Sequence, residues 1–151
     1  MTAYFLVRVG AVDWRHPAWQ GAFYPGDMPE AWMLSYYNTQ FPAVYLPAGV
    51  WQSASPDDWA QWLYDTRDDF HFVLEPGDPG VAPPASERVQ MADADWAAAH
   101  LWWLDDAPDL RALSQRIARQ AASGAPLYVI SRSGDLGAME QANTLRQVMG
   151  Y

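Results

Sequence analysis

One segment near the N-terminus, residues 10–25, most constrains what this chain can fold into. Its glycines, prolines and aromatic residues lie too close together for a regular helix or strand. An apolar run, residues 4–12, precedes it, and a helix pattern begins after it at Pro29. This order predicts a first strand, an elaborate loop and a first helix. Loops of this kind commonly carry the functional site of an α/β protein.

The rest of the chain alternates strand and helix patterns. Further strands are predicted at 43–46, 70–75, 88–91, 100–104 and 127–131. Further helices are predicted from a Ser55 cap, from an Asp106 cap to Gly124, and over 136–149, with short helical material at 95–99. A connector rich in proline and glycine spans 76–86. Because parallel strands need helix-length connections, we expect an α/β fold in one domain over 1–151, with five or six parallel strands and about four main helices.

Composition excludes several classes of function. The chain has no cysteine, so disulfides and thiolate chemistry are excluded. Its nine basic residues are all arginines and face eighteen acidic residues, a formal charge of −9 that argues against a nucleic-acid partner. The sequence shows no signal-peptide pattern and no apolar run of about 20 residues. A cytoplasmic protein without a membrane partner is the expectation.

Nine tryptophans are a large excess for 151 residues. Several have helical spacing, such as Trp59 with Trp62, and are expected in the core. Trp32, Met33, Tyr36, Tyr37 and Phe41 are likewise predicted to form the apolar stripe of the first helix. Tryptophans in loops are better candidates for ligand contact. The residues predicted to bind a ligand are Trp14, Trp19, Tyr24, Trp51 and Arg132.

The first half of the chain resembles the DUF72 family, also called YecE-like. The resemblance rests on the loop at 10–25, which contains Trp-x-Gly-x-Phe-Tyr-Pro from Trp19, and continues through Met28-Pro29 to Phe70-x-Phe72. It resumes more weakly over about 100–149. The family implies a TIM barrel of unassigned biochemical activity. A chain of this length lacks about a third of such a barrel, so we expect a reduced barrel without the middle strands.

The chain departs from the family pattern at the strand ends, where a barrel enzyme keeps its chemistry. The family's Glu-x-Asn pair after the second strand reads Tyr45 and Pro47. Its lysine after the third strand reads Glu75, and the Asn-Asn of the last strand reads Ser131-Arg132. These joint losses imply that the family's ligand or reaction is lost or changed.

Polar side chains that remain at predicted strand ends meet at one edge of a parallel sheet. They are Asp13, His16, Glu75, Asp105, Asp106, Arg132 and Asp135. Carboxylates beside a histidine can hold a hard cation or act as an acid–base pair on a sugar. Capping and turn formation explain several of the aspartates equally well. Asp13, His16 and Glu75 are the candidate catalytic residues, and the three histidines are too scattered to predict a metal site or a cofactor.

Two functions remain open from the sequence. The first is a divergent, non-catalytic protein that acts in binding or assembly as a homodimer, because a reduced barrel leaves sheet edges that a second copy can cover. Tryptophans are expected at part of that interface. The second is a small enzyme acting on a polar metabolite, such as a sugar or its phosphate, in a pocket formed by Asp13, Trp14, His16, Trp51 and Glu75. Glu75 would be its base or metal ligand, and His16 its acid.

Overall fold

Six parallel strands form the centre of the computed structural model, which describes residues 5–151. The elements are β1 (Val7–Val12), a short 3-10 turn (Pro17–Trp19), α1 (Glu30–Gln40), β2 (Ala43–Leu46), α2 (Ala48–Trp51), α3 (Pro56–Asp65), β3 (His71–Leu74), β4 (Val89–Met91), α4 (Ala94–His100), β5 (Leu101–Leu104), α5 (Leu110–Ser123), β6 (Leu127–Ser131) and α6 (Leu136–Met149). The strand order is β4-β3-β2-β1-β6-β5, and each pairing is parallel. The sheet curls into half of a barrel, which confirms the predicted incomplete TIM-like fold.

Four long helices, α1, α3, α5 and α6, cover the convex face of this sheet. Leu34, Trp59, Ile117 and Met139, one from each helix, are buried in a single cluster with strand residues such as Val9. The buried side chains of each helix therefore supply part of one wall of the main core. Two shorter helices, α2 and α4, add to the four main helices that the sequence predicted, and α4 lies at the short helical segment expected at 95–99.

The concave face carries a second apolar cluster, and helix α4 packs into it. Tyr45, Val73 and Tyr128 come from three different strands, and Trp96 of α4 lies with its ring centroid 5.2 Å from that of Tyr128. Helix α4 connects β4 to β5, which lie at opposite ends of the sheet. It therefore fills the interior of the half-barrel on the side where a complete barrel would hold further strands.

Most element boundaries agree with the sequence patterns. Strands β2 and β6 and helix α6 match residue for residue, and Ser55 caps α3 in a capping box with Asp58, as predicted. Strand β1 begins at Val7, whereas the predicted run began at residue 4, which lies outside the described residues. No helix or strand is assigned to 76–86, in agreement with the predicted connector.

Three local predictions were wrong. Helix α5 is capped by Asp109, whose carboxylate accepts the amide of Ala112; Asp106 instead accepts a hydrogen bond from the hydroxyl of Ser133. Helix α2 was missed, because the sequence pattern marks Pro47 only as the end of strand β2. It also lies directly before α2, at a position where proline's missing N–H breaks no helical hydrogen bond. Trp32 is 64% exposed, because it points away from the buried stripe of α1.

The hydroxyl of Tyr37 is inserted into the pairing between β1 and β2. It accepts the amide of Ala11 at 2.9 Å and donates to the carbonyl of Ala43 at 2.7 Å. The three residues are fully buried, and burial raises the pKa of Tyr37 above its ordinary range. This hydroxyl therefore satisfies two buried backbone groups at once.

A half-buried histidine on the concave face makes stability depend on pH. Nδ1 of His71 lies 2.6 Å from the hydroxyl of Tyr128. Burial and, to a smaller extent, the positive charges of Arg8 and Arg88 lower the pKa of His71 to about 4. The negative charge of Asp69 raises this pKa but does not offset them. An unfolded histidine titrates near 6.5. The unfolded chain therefore binds the extra proton first as the pH falls, and the stability that His71 supports declines between pH 6.5 and 4.

We expect the wild-type protein to lose about 2 kcal/mol relative to His71→Gln between pH 7 and pH 4, allowing for the partial exposure of the ring. Urea unfolding of both proteins at several pH values measures this difference. Carboxylates titrate in the same range in both proteins, so only the difference between the two curves reports on His71. Parallel curves would contradict the prediction.

Candidate functional site

The first loop, residues 13–29, packs on itself and on the loop that follows β6. The indole N–H of Trp19 donates to the carbonyl of Gly134 at 2.7 Å. Gly134 has a φ of +72°, and a Cβ there would lie 2.8 Å from ring atoms of His16. Ser131 accepts the amide of Gly134 through its hydroxyl and so fixes the turn. The two loops therefore form one rigid unit at the carboxyl edge of the sheet.

Asp13 and His16, two of the candidate catalytic residues, hold this loop in shape. Asp13 has a φ of +62°, and its carboxylate accepts the amides of Trp14 and Arg15 at 2.6 and 2.9 Å. The guanidinium of Arg15 donates to both carboxylate oxygens, at 3.0 and 3.1 Å. Nε2 of His16 donates to the carbonyl of Val12 at 2.6 Å. The Asp13 carboxylate is thus committed to backbone amides and to Arg15, and Nε2 of His16 is committed to a backbone carbonyl.

The four aromatic residues predicted to bind a ligand are core residues in this structure. Trp14, Trp19, Tyr24 and Trp51 are only 1% to 3% exposed. The hydroxyl of Tyr24 donates to the carbonyl of Trp14 at 2.6 Å. Burial, and to a smaller extent the negative charge of Asp13, raises the pKa of Tyr24 above its ordinary range. Their rings therefore pack mostly inside the protein, with Trp14 and Trp51 each forming part of the wall of an opening, and their binding role stays a prediction.

Glu75, the third candidate catalytic residue, lies directly after β3 and is exposed. Its Oε1 accepts the amide of Ala48 at 3.0 Å, at the start of α2. Its backbone carbonyl accepts the indole N–H of Trp51 at 2.8 Å. Glu75 thus ties α2 to the end of β3. The five residues of the predicted pocket do not surround one opening, because Trp14, His16 and Trp51 each line a different one.

Arg132, the remaining predicted ligand residue, belongs to a different group of side chains. Its guanidinium carbon lies 3.5 Å from the ring centroid of Trp103, at the end of β5. The ring of Trp103 meets that of Tyr45 edge to face, with centroids 5.0 Å apart. Burial and the charge of Glu75 raise the pKa of Tyr45, whereas Arg132 lowers it. These residues lie at the carboxyl end of the concave face, the position of active sites in complete barrels.

The alternation of side chains along the strands adds further residues to the group of Arg132, Trp103 and Tyr45. Tyr45, Val73 and Trp103 belong to the concave cluster, and side chains two residues apart on a strand share a face. Glu75 lies two residues beyond Val73, and its amide continues the pairing by donating to the carbonyl of Leu46, so it lies on the concave side as well. Asp105 directly follows β5, two residues beyond Trp103. We call Tyr45, Glu75, Trp103, Asp105 and Arg132 the mouth cluster. The sequence singled out Glu75, Asp105 and Arg132 as strand-end residues but missed Tyr45 and Trp103, which read as core aromatics.

The aspartates at the other strand ends are held by local hydrogen bonds. Asp135 caps α6 by accepting the amide of Ala138 at 2.9 Å, and Asp106 accepts from Ser133. Within residues 5–151, no three histidine or acidic side chains group closely enough to hold a metal ion. Across the same residues, none of the helices has the length and apolar character needed to span a membrane.

Comparisons with known proteins agree with the fold. Residues 8–76 match the family model of a protein of unknown function, DUF72. Comparison with the curated proteins gives no match. Among solved structures, the chain is similar to a DUF72 family protein (TM1631) from Thermotoga maritima MSB8, with a TM-score of 0.61 and 13% sequence identity. The alignment covers 96% of this chain and 99% of that chain, and at this identity it shows the fold alone. Residues 8–76 therefore carry the DUF72 family pattern, and the chain as a whole has the fold of a DUF72 family protein.

Proposed function

We propose that this protein is a divergent, non-catalytic DUF72-like protein, which acts in binding or assembly and works as a homodimer. The observation that carries the proposal is the structural use of all three candidate catalytic side chains. Asp13 and His16 hold the first loop, and Glu75 caps helix α2. A general acid or base must instead reach a substrate proton within hydrogen-bond distance. Groups already committed to the backbone are poorly placed for that work.

The open sheet supports assembly. Within the described chain, β4 and β5 each have a strand neighbour on one side only. The amide of Phe72 bonds to the carbonyl of Arg88, and that of Ala92 to the carbonyl of Leu74, so the amide of Met91 points away from β3. The register of β5 with β6 likewise directs the amide of Trp103 outward. Unpaired edges of this kind favour pairing with a second chain.

A two-fold axis along the barrel would bring β4 of one copy beside β5 of its partner, and would repeat the contact on the other side. Strand β5 carries Trp102 and Trp103, so this arrangement also places tryptophans near the interface. The loss of the middle strands would then be compensated by a second copy.

We expect light scattering after size exclusion to give twice the monomer mass of 17.0 kDa down to low micromolar concentration. Hydrogen exchange read by mass spectrometry, before and after dilution below micromolar concentration, then tests the interface. The amides of Met91 and Trp103, read in short peptides, are expected to exchange faster after dilution, whereas the amide of Val129, in β6 with a strand neighbour on each side, keeps its protection. A monomer at every concentration would contradict the homodimer. A dimer without concentration-dependent exchange at these two amides would place the interface elsewhere.

The enzyme acting on a sugar or sugar phosphate is the second candidate. The mouth cluster favours it, since Glu75 and Arg132 lie where barrel enzymes hold their substrates. If a substrate is found by screening, Glu75→Gln and His16→Ala are expected to abolish turnover. Turnover that depends on Glu75 would overturn the non-catalytic proposal, and wild-type rates in both variants would remove these residues from the chemistry.

A further inference from the structure

The mouth cluster presents a cation in a fixed position. Arg132 is exposed, but its guanidinium lies against the face of Trp103, with the guanidinium carbon 3.5 Å from the ring centroid. A stacked guanidinium keeps its N–H donors at the edge, where they can pair with both oxygens of a carboxylate. Stacking also removes side-chain freedom before any ligand arrives, which lowers the cost of binding.

Carboxylates follow two strands at the same edge of the sheet. Glu75 directly follows β3 and continues its pairing, since its amide donates to the carbonyl of Leu46, so it lies on the concave side. Asp105 directly follows β5, two residues beyond Trp103, and both acids are exposed. Glu75 is held in place, because its Oε1 accepts the amide of Ala48. The cluster thus combines one fixed cation with two acids at the end of one concave face.

The charges select the kind of ligand. A simple anion would meet Arg132 but be repelled by Glu75, Asp105 and the net charge of −9. A simple cation would meet the acids but be repelled by Arg132. A small molecule with both an anionic and a cationic end can satisfy both signs. The hydroxyl of Tyr45, which lies under the influence of both Glu75 and Arg132, can donate to or accept from either end.

We propose that the mouth cluster binds a small zwitterion of the amino-acid class, with its carboxylate on Arg132 and its ammonium group on Glu75 or Asp105. Trp103 and Tyr45 form the apolar floor beneath the ligand. The inference deepens the binding part of the proposed function but does not need the homodimer, since every residue of the cluster comes from one chain.

The test is a titration of the purified full chain with the free L-amino acids, followed by NMR shifts of the Trp103 indole and by calorimetry. Each amino acid is paired with the amine that lacks its carboxylate and the acid that lacks its amino group. We expect at least one amino acid to bind with a Kd of about 1 mM or tighter, and both partial molecules to bind at least about tenfold more weakly.

Arg132→Gln is expected to weaken binding by about tenfold or more, whereas Arg111→Gln, at an exposed arginine on α5, is the matched control that leaves the Kd unchanged. A dispersed NMR spectrum of each variant shows that it is folded. The site is overturned if no amino acid binds at about 10 mM, if the acid alone binds as well as the zwitterion, or if Arg132→Gln binds normally.

The same samples separate this inference from the proposed function. Binding without chemical change of the amino acid supports both. Binding followed by conversion of the ligand would keep the site and overturn the non-catalytic role. A stable dimer that binds no amino acid would overturn the site alone.

Discussion

Gly10→Ala is expected to destabilise the protein by more than about 3 kcal/mol, because strand β1 has no room for a side chain at this position. A Cβ on Gly10 would lie 2.1 Å from the carbonyl oxygen of Ala43 and 3.0 Å from the hydroxyl of Tyr37. The nearer atom is backbone in the neighbouring strand, so it cannot move aside as a flexible side chain could. The carbonyl of Ala43 is also the acceptor for the buried hydroxyl of Tyr37. Separating the strands would therefore also disturb the two hydrogen bonds by which this hydroxyl joins Ala11 to Ala43.

Gly49→Ala is the matched control. Gly49 lies in α2, is exposed, and a Cβ there would meet nothing within 4 Å. Alanine in a helix is favoured over glycine, so the change should be neutral or stabilising by up to about 1 kcal/mol. Urea unfolding of the two variants beside the wild-type protein measures both effects. Equal stability of Gly10→Ala and Gly49→Ala would show that β1 and β2 are less closely paired than the structure has them.

The regular elements could be predicted from the sequence because their signals are local. The buried run at 127–131 and the 3.6-residue pattern at 136–149 each lie within one segment, and the structure reproduces both. The cap of α5 was misplaced, because Asp106 and Asp109 both precede the helix pattern and either could cap it. Only the path of the chain between β5 and α5 decides between them.

The candidate site was harder to predict because it depends on which strands are neighbours. Trp103 and Tyr45 belong to β5 and β2, which are separated in the sheet by β6 and β1, and the curl of the sheet brings their rings together. Neither contact has a local signal. Burial was the second difficulty, since Trp19 and Trp51 lie in segments that read as exposed loops but fold inward. A loop rich in aromatic residues can be a small core of its own.

Trp19→Ala should show how much the first loop depends on that internal core. The indole is 1% exposed, stacks on Tyr37 with ring centroids 6.0 Å apart, and contacts His16 and Tyr24. Its removal leaves a large cavity and an unpaired carbonyl on Gly134. We expect a loss of about 3–5 kcal/mol, which corresponds to a fall in Tm of at least about 6 °C for a domain of this size.

Two further tryptophan variants separate packing from hydrogen bonding at this position. Trp19→Phe keeps most of the ring contact but loses the N–H donor. We expect it to lower the free energy of unfolding by about 1–2 kcal/mol relative to the wild-type protein, clearly less than Trp19→Ala does. Trp32→Ala removes the same side chain from an exposed position on α1 and should change stability by less than about 0.5 kcal/mol. Thermal and urea unfolding, each read by far-UV circular dichroism, give the three values. If Trp19→Ala cost no more than Trp32→Ala, the first loop would not be held by its aromatic core. Asp13 and His16 would then be attached to a movable segment, which would restore them as candidates for chemistry at the carboxyl edge of the sheet.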